Sequence, residues 1–195
     1  MLRTLMTILV LALLAGCTSE PPPARLPEMT FTNLPKIMLE VALVEVVDKY
    51  NPPFASPNVE HKMPVPPARV ARRWAEDRLL AAGDKGRALV TIQDAKVIEV
   101  SLKRSSSGLT GAFTTEQGKR YDASLEMSVE IVNDRGFKDA AATARAVRSQ
   151  TVAEDISPNK LDEVWYEMVE ALMRDINAEL ERNMRQFMGR YIRQT

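Results

Sequence analysis

Apolar residues recur at every second position from Ile37, where Ile37, Leu39, Val41 and Leu43 share one side and Glu40 and Ala42 fall between them. That period belongs to a strand. It returns within Arg87 to Lys103, first as Ala88, Val90 and Ile92, then as Ile98, Val100 and Leu102. It is cleanest from Arg120 to Val132, where Tyr121, Ala123, Leu125, Met127, Val129 and Ile131 face in and Asp122, Ser124, Glu126, Ser128 and Glu130 face out. A strand with one packed and one wet face implies an antiparallel sheet and excludes a doubly wound parallel one. The turn signal "NDRG", Asn133 to Gly136, follows. Residues 140–152 then read as helix by alanine content, or as a fourth strand by their β-branched end, Thr151-Val152, and the hairpin before them; the strand is preferred.

Two stretches change the period to 3.6. Pro67 fits a first helical turn, and the helix formers after it predict a helix up to Gly83, with Val70, Ala71, Trp74, Ala75 and Leu79 on its apolar face. Arg72 and Arg73 on the other side read as a solvated face, with an anion site as the alternative. The second helix starts at Ser157 as cap and Pro158 in the first turn. Its stripe of Leu161, Val164, Trp165, Met168, Val169, Leu172, Met173 and Ile176 narrows to Leu180, Met184, Phe187, Met188 and Tyr191. At 1.5 Å per residue it is on the order of 50 Å long, more than a strand of ordinary length spans, so its last third is expected to overhang. Met184, Phe187 and Tyr191 then form an exposed apolar strip open to a partner, a membrane surface or the proline-rich loop.

The order strand, helix, three strands, helix describes an α+β two-layer sandwich, a four-stranded mainly antiparallel sheet with two helices on one face. Two connections interrupt it. Asn51 to Pro67 holds six prolines and is read as a long loop without ladder or helix. Arg104 to Gly118 is rich in small residues yet carries Leu109 and Phe113, which tuck under the sheet edge or, beside Lys103 and Arg104, contact a ligand.

The chain's first residues follow another logic. Arg3 precedes an apolar stretch from Leu5 to Leu14 that is too short to span a bilayer as a helix, which needs about twenty residues. A basic start, a short apolar run and small residues at its end are the marks of a secretory signal. It closes on "LLAGC", Leu13 to Cys17, which resembles a bacterial lipobox. The resemblance implies that residues 1–16 are removed and that Cys17 becomes a lipidated N-terminus bearing diacylglycerol and a further acyl chain such as palmitate. The lone cysteine has no disulfide partner, and two or three chains anchor stably where one is marginal. In such lipoproteins an aspartate after the cysteine favours retention in the inner membrane; Thr18 here favours the outer one. Residues 17–35 then read as lipidated cysteine and proline-rich linker, able to hold a domain of residues 36–195 on the order of 50 Å from the membrane.

Loss of the signal removes Arg3 and leaves about 25 basic residues against 26 acidic ones, with no clustered basic face for a nucleic acid. One histidine, His61, is too little for a hydrolytic triad or a zinc site and reads as a solvated loop residue. Glu40, Glu45, Asp94 and Glu99 sit on predicted strands as outward charges, and neither G-x-S-x-G nor a phosphate-cradling glycine loop is present. No enzyme, metal or cofactor is expected.

The lipobox, linker and β-α-β-β-β-α order together resemble the periplasm-facing lipoproteins of Gram-negative envelopes, notably the lipopolysaccharide-assembly lipoprotein and the auxiliary lipoproteins of lipid-transport systems. The resemblance implies an outer-membrane, periplasm-facing, non-enzymatic protein that assists envelope assembly or lipid transport by binding a larger membrane protein. A module that recognises an amphiphile such as a glycolipid is the alternative.

Overall fold

The computed structural model describes residues 26–102 and 117–193. It is an α+β sandwich in which two helices cover one face of a mainly antiparallel sheet. In chain order the elements are β1 (Ile37–Leu39), β2 (Leu43–Asp48), α1 (Pro67–Arg78), β3 (Leu79–Ala81), β4 (Arg87–Asp94), β5 (Val97–Ser101), β6 (Gln117–Val132), β7 (Lys138–Ala153) and α2 (Pro158–Phe187).

Residues 140–152 are strand, as preferred from the sequence, and β7 pairs with β6 from Gln117↔Ala153 to Val132↔Lys138. Their turn is set by Gly136 at φ 84°, while Asn133 Oδ1 accepts from the N–H groups of Arg135 and Phe137. The alanines that suggested a helix lie inward on the strand. Ala142, Ala144 and Ala146 are buried, and their small side chains let α2 lie close on the sheet.

The opposite edge of β6 carries β4 and β5 in succession. Ile92 pairs with Met127 and Asp94 with Glu126, so one extra residue is inserted between them. From Asp94 onward the register is unbroken into Val97↔Ala123. The two strands are thus one long strand with a β-bulge at Gln93, and a bulge exchanges inward for outward positions. Hence Ala88, Val90 and Ile92 point into the core, but after the bulge Ala95 and Val97 do so. Ile98 and Val100, predicted inward, share the outer face with Asp122 and Arg120.

A similar shift corrects the first strand. The chain bends at Glu40–Ala42, β1 pairs in parallel with β3, and β2 pairs in parallel with β4. Val41 stays buried, whereas Leu43 turns out at 55 % exposure and Val44 and Val46 pack on the core. The first helix stops at Arg78 rather than Gly83, since Leu79–Ala81 serves as the partner of β1. Gly83 marks a close approach: a Cβ there would lie 2.6 Å from the Glu40 carbonyl carbon.

The inward residues of β6 are all buried, as predicted. Its other face is less wet than the alternation suggested. Ser124 and Ser128 are buried beneath longer neighbours, Ser124 Oγ donating to Asp94 at 2.8 Å and Gln93 Nε2 donating to Ser128 Oγ at 2.6 Å.

α2 begins as read, with Ser157 Oγ accepting from the Lys160 N–H. Its expected overhang is absent. Sixteen-residue strands span roughly 50 Å, about the length of this thirty-residue helix. Leu180, Met184 and Met188 are buried, and the chain returns so that the Arg193 N–H donates to the Met38 carbonyl.

The helices meet through polar atoms. Arg78, 1 % exposed, donates to the Pro35 carbonyl, to Glu181 and, at 3.3 Å, to Asn177 Oδ1, which also takes the Trp74 indole N–H at 2.8 Å. Met29 and Phe31 are buried, and the Phe31 N–H donates to Asp77. The packed unit therefore includes part of what the sequence assigned to the linker.

Removing one member of a buried charged network costs more than replacing the whole. Arg78→Ala is expected to lower unfolding free energy by about 4 kcal/mol and Arg78→Lys, which keeps charge but loses the planar fork, by about 2 kcal/mol in urea titrations. Gly83→Ala should cost about 2 kcal/mol by the same measurement, because backbone rather than a yielding side chain meets the new methyl.

Candidate functional site

The register gives the domain two poles. At one, the hairpin turn 133–136, the start of β2 and the C-terminal turn of α2 meet, since Leu43 pairs with Arg87, Arg87 with Val132 and Val132 with Lys138. At the other, the start of α2 lies beside the point where the N-terminal segment reaches the domain, Leu26 to Met29 and Asp162 lining one cleft.

The turn pole holds the exposed aromatic residues Phe137 (66 %) and Phe187 (59 %), with Leu43 at the same level. Of the strip predicted from the sequence, Phe187 is exposed, Tyr191 is half-buried and Met184 is fully buried. Met184 falls inside because α2 ends over the sheet rather than beyond it. The Tyr191 hydroxyl donates to Asp139 at 3.2 Å, and the Arg190 guanidinium stands 4.8 Å from its ring centre. Phe137 escaped the sequence reading; an aromatic directly after a tight turn was its only signal.

Four carbonyls on the free edge of β7 accept from side chains: those of Asp139, Thr143, Val147 and Thr151 accept from Arg190, Asn183, Arg148 and Gln150 respectively. An edge so occupied resists addition of a further strand.

A second feature lies where β2 ends and α1 begins. Tyr50, Phe54, His61, Pro66, Arg69 and Arg72 line a cleft of about 430 Å³ together with Asp48 and Glu60. The loop on its rim is held as a strand would be, contrary to the reading of a segment without ladder or helix. The Val59 N–H donates to the Val97 carbonyl and the Glu99 N–H to the Pro57 carbonyl, both at 2.9 Å, and Glu60–Lys62 form a 3-10 turn. The proline rings leave the intervening N–H groups free to pair.

Buried Glu60 fixes this loop. It accepts from the Tyr50 hydroxyl at 2.6 Å, the Val97 N–H at 3.1 Å and the Asn58 amide. Burial and the Glu60 carboxylate push the Tyr50 phenol well above its ordinary range. Burial and Glu99, which accepts from the Tyr121 hydroxyl at 3.0 Å, do the same to Tyr121. His61 is not the solvated residue expected. It is half-buried, its ring lies 5.6 Å from that of Phe54, and its Nδ1 has no hydrogen-bond partner among the described residues.

Cys17, Lys103, Arg104, Leu109 and Phe113 lie outside the described residues. Among the described residues no cluster of histidine, cysteine and carboxylates could hold a metal ion, and no helix is long and apolar enough to cross a membrane.

No protein-family model and no curated protein matches the sequence. Among solved structures the chain is similar to a minor lipoprotein from Acinetobacter baumannii. The two share 11 % identity at a TM-score of 0.38, over 80 % of this chain and 99 % of that one. A likeness of this degree transfers no function.

Tyrosine ionisation gives the clamp a pH signature. A phenol raised in the folded state contributes stability that is complete below its ordinary value of 10.0 and is lost as pH rises above it. Tyr50→Phe and Tyr121→Phe should each be less stable than the parent at pH 8 and lose less stability between pH 9 and 11. Denaturant titrations across that range read both effects.

Proposed function

We propose that the protein is a membrane-anchored, non-enzymatic lipoprotein of the outer membrane, facing the periplasm, that assists envelope assembly or lipid transport by binding a larger membrane protein. The reading of Cys17 as a lipid anchor rests on Leu13-Leu14-Ala15-Gly16-Cys17. The observation that carries the adaptor reading is the separation of the poles: the N-terminal segment reaches the domain at one, and the exposed Phe137 and Phe187 stand at the other. A tether at one end and an apolar surface at the far end suit a protein that is held in place while it grips something else. The exposed aromatic side chains at the turn pole support contact there, since α2 does not overhang and side chains already engage four carbonyls of the β7 edge.

Cys17→Ser is expected to move the protein from the outer-membrane to the soluble fraction, and mass spectrometry of the wild-type N-terminal peptide to find acylated Cys17. An unmodified Cys17 in the mature chain overturns the anchor. A photo-crosslinking residue at Phe137 should capture an integral outer-membrane protein, and Phe187→Asp should abolish that capture with unchanged thermal stability. Equal capture from positions on α1 would sink the polar assignment.

A further inference from the structure

The cleft beside Phe54 has features that an adaptor role leaves unused. Arg69 and Arg72 lie about one turn apart on α1 and line both this cleft and the one containing Leu26, Pro27 and Met29. Arg69 donates to the Pro64 carbonyl and Arg72 to the Val46 carbonyl at 3.4 Å, and neither has a carboxylate partner among the described residues. Their neighbours differ, since Arg73 pairs with Glu28 and Arg78 with Glu181. The acidic groups on the wall accept from neutral donors and keep their charge: Glu60 takes the Tyr50 hydroxyl and the Val97 N–H, and Asp48 accepts from the Tyr50 N–H at 3.1 Å. Two guanidiniums thus line the cleft without a direct ion pair, while the Asp48 and Glu60 carboxylates line it as well.

The other wall is apolar. Phe54 is 68 % exposed and held at φ 53°, a backbone region that favours glycine over an aromatic residue. Burial does not account for a strained and exposed phenylalanine, and such strain gathers where a ligand is gripped. Pro52, Pro66 and His61 continue this wall, and the space of about 430 Å³ is of the size that holds a small organic molecule.

We propose that this cleft binds the headgroup of an anionic membrane phospholipid, with the phosphate against Arg69 and Arg72 and the glycerol and first acyl carbons against Phe54, Pro52 and Pro66. Guanidinium forks match phosphate oxygens in geometry and charge. The choice of a membrane lipid over a free phosphate follows from the apolar wall, which a free phosphate would leave unused, and from position. Leu26 and Pro27 line the adjoining cleft, and residues 18–25 can reach at most about 28 Å from an anchored Cys17. That second argument rests on the tethered reading. A lipid held here would orient the domain on the bilayer, with the turn pole directed away from it.

The test is calorimetric titration of the chain from position 17 bearing Cys17→Ser, which retains every described residue and carries no acyl group. The probes, below their micelle-forming concentrations, are dihexanoyl-phosphatidylglycerol, dihexanoyl-phosphatidylcholine and glycerol phosphate. Saturable binding of the phosphatidylglycerol is expected, weakened about tenfold by Arg69→Gln with Arg72→Gln, as loss of charge-assisted hydrogen bonds should do. Phe54→Gly should weaken binding while leaving thermal stability unchanged or raised, which a merely structural Phe54 would not do. Glycerol phosphate and phosphatidylcholine should bind much more weakly. Absence of saturation, or variants that bind as the parent does, overturns the site. Glycerol phosphate binding as tightly as the lipid overturns the lipid assignment, and equal binding of phosphatidylcholine overturns recognition of charge. Because the titrated chain has no anchor, its outcome is independent of whether Cys17 is acylated.

Discussion

β6 is paired on both edges along nearly its whole length, by β7 on one side and by β4 and β5 on the other. A strand in that position satisfies its backbone groups within the sheet and sets the length of whatever is built against it. Its sixteen residues require a β7 of equal length, and a tight turn returns the chain without slack. The helix that follows must then run back along the same distance, which thirty residues cover. The C-terminal turn consequently arrives beside β1, where the Glu40 N–H donates to the Tyr191 carbonyl and closes the structure on its first strand.

Against this frame α1 buries an apolar face of Val70, Ala71, Trp74 and Ala75, and its one buried charge ties it to its neighbours. Arg78 reaches the N-terminal segment at Pro35 and α2 at Asn177 and Glu181. A charge with so little solvent exposure is stable only while each acceptor is present. The same network fixes the route of residues 26–36 along α1, with Met29 and Phe31 inserted on the way. The point where a tether would leave the domain is therefore set by the core.

The α+β class, the two helices on one face and the inward set of β6 were legible because each rests on a long, uninterrupted period. What stayed hidden depends on single residues that change parity. The bulge at Gln93 reverses the faces of Ile98 and Val100, and the bend at Glu40–Ala42 does the same to Leu43. Neither leaves a compositional mark, since alternation continues on both sides. The overhang expected of α2 presupposes a strand of ordinary length, whereas β6 and β7 run sixteen residues each. Alanines 140, 142, 144 and 146 satisfy helical propensity and the need for a shallow surface under a helix equally well. Of the site, Phe187 was visible as the end of an apolar stripe. Arg72 was legible as a helix face with an anion site as the alternative; Phe54 and Glu60 were not, because loop 49–66 is placed through pairings with β5 that no local pattern encodes.

Two surfaces of the domain differ in what they can hold, and the sheet they share explains why. Strand addition is the simplest way for a β-protein to recruit a partner, but four of the outer carbonyls of β7 already accept from side chains. On the opposite side, loop 57–60 occupies the edge of β5. β2 ends the sheet beyond β4, and there Arg72 donates to the Val46 carbonyl at 3.4 Å. The turn pole offers exposed aromatic rings on a short hairpin and a helix end, which suit a flat apolar partner. Where β2 ends, level with the middle of β6, two guanidiniums without ion-pair partners line a cleft walled by proline and phenylalanine, together with the Asp48 and Glu60 carboxylates. The cleft lies beside Asp48, whose partner Ile92 pairs with Met127, so about five strand residues, roughly 17 Å, separate its level from Val132 at the turn pole. One rigid strand thus fixes the distance between two surfaces of a single small domain.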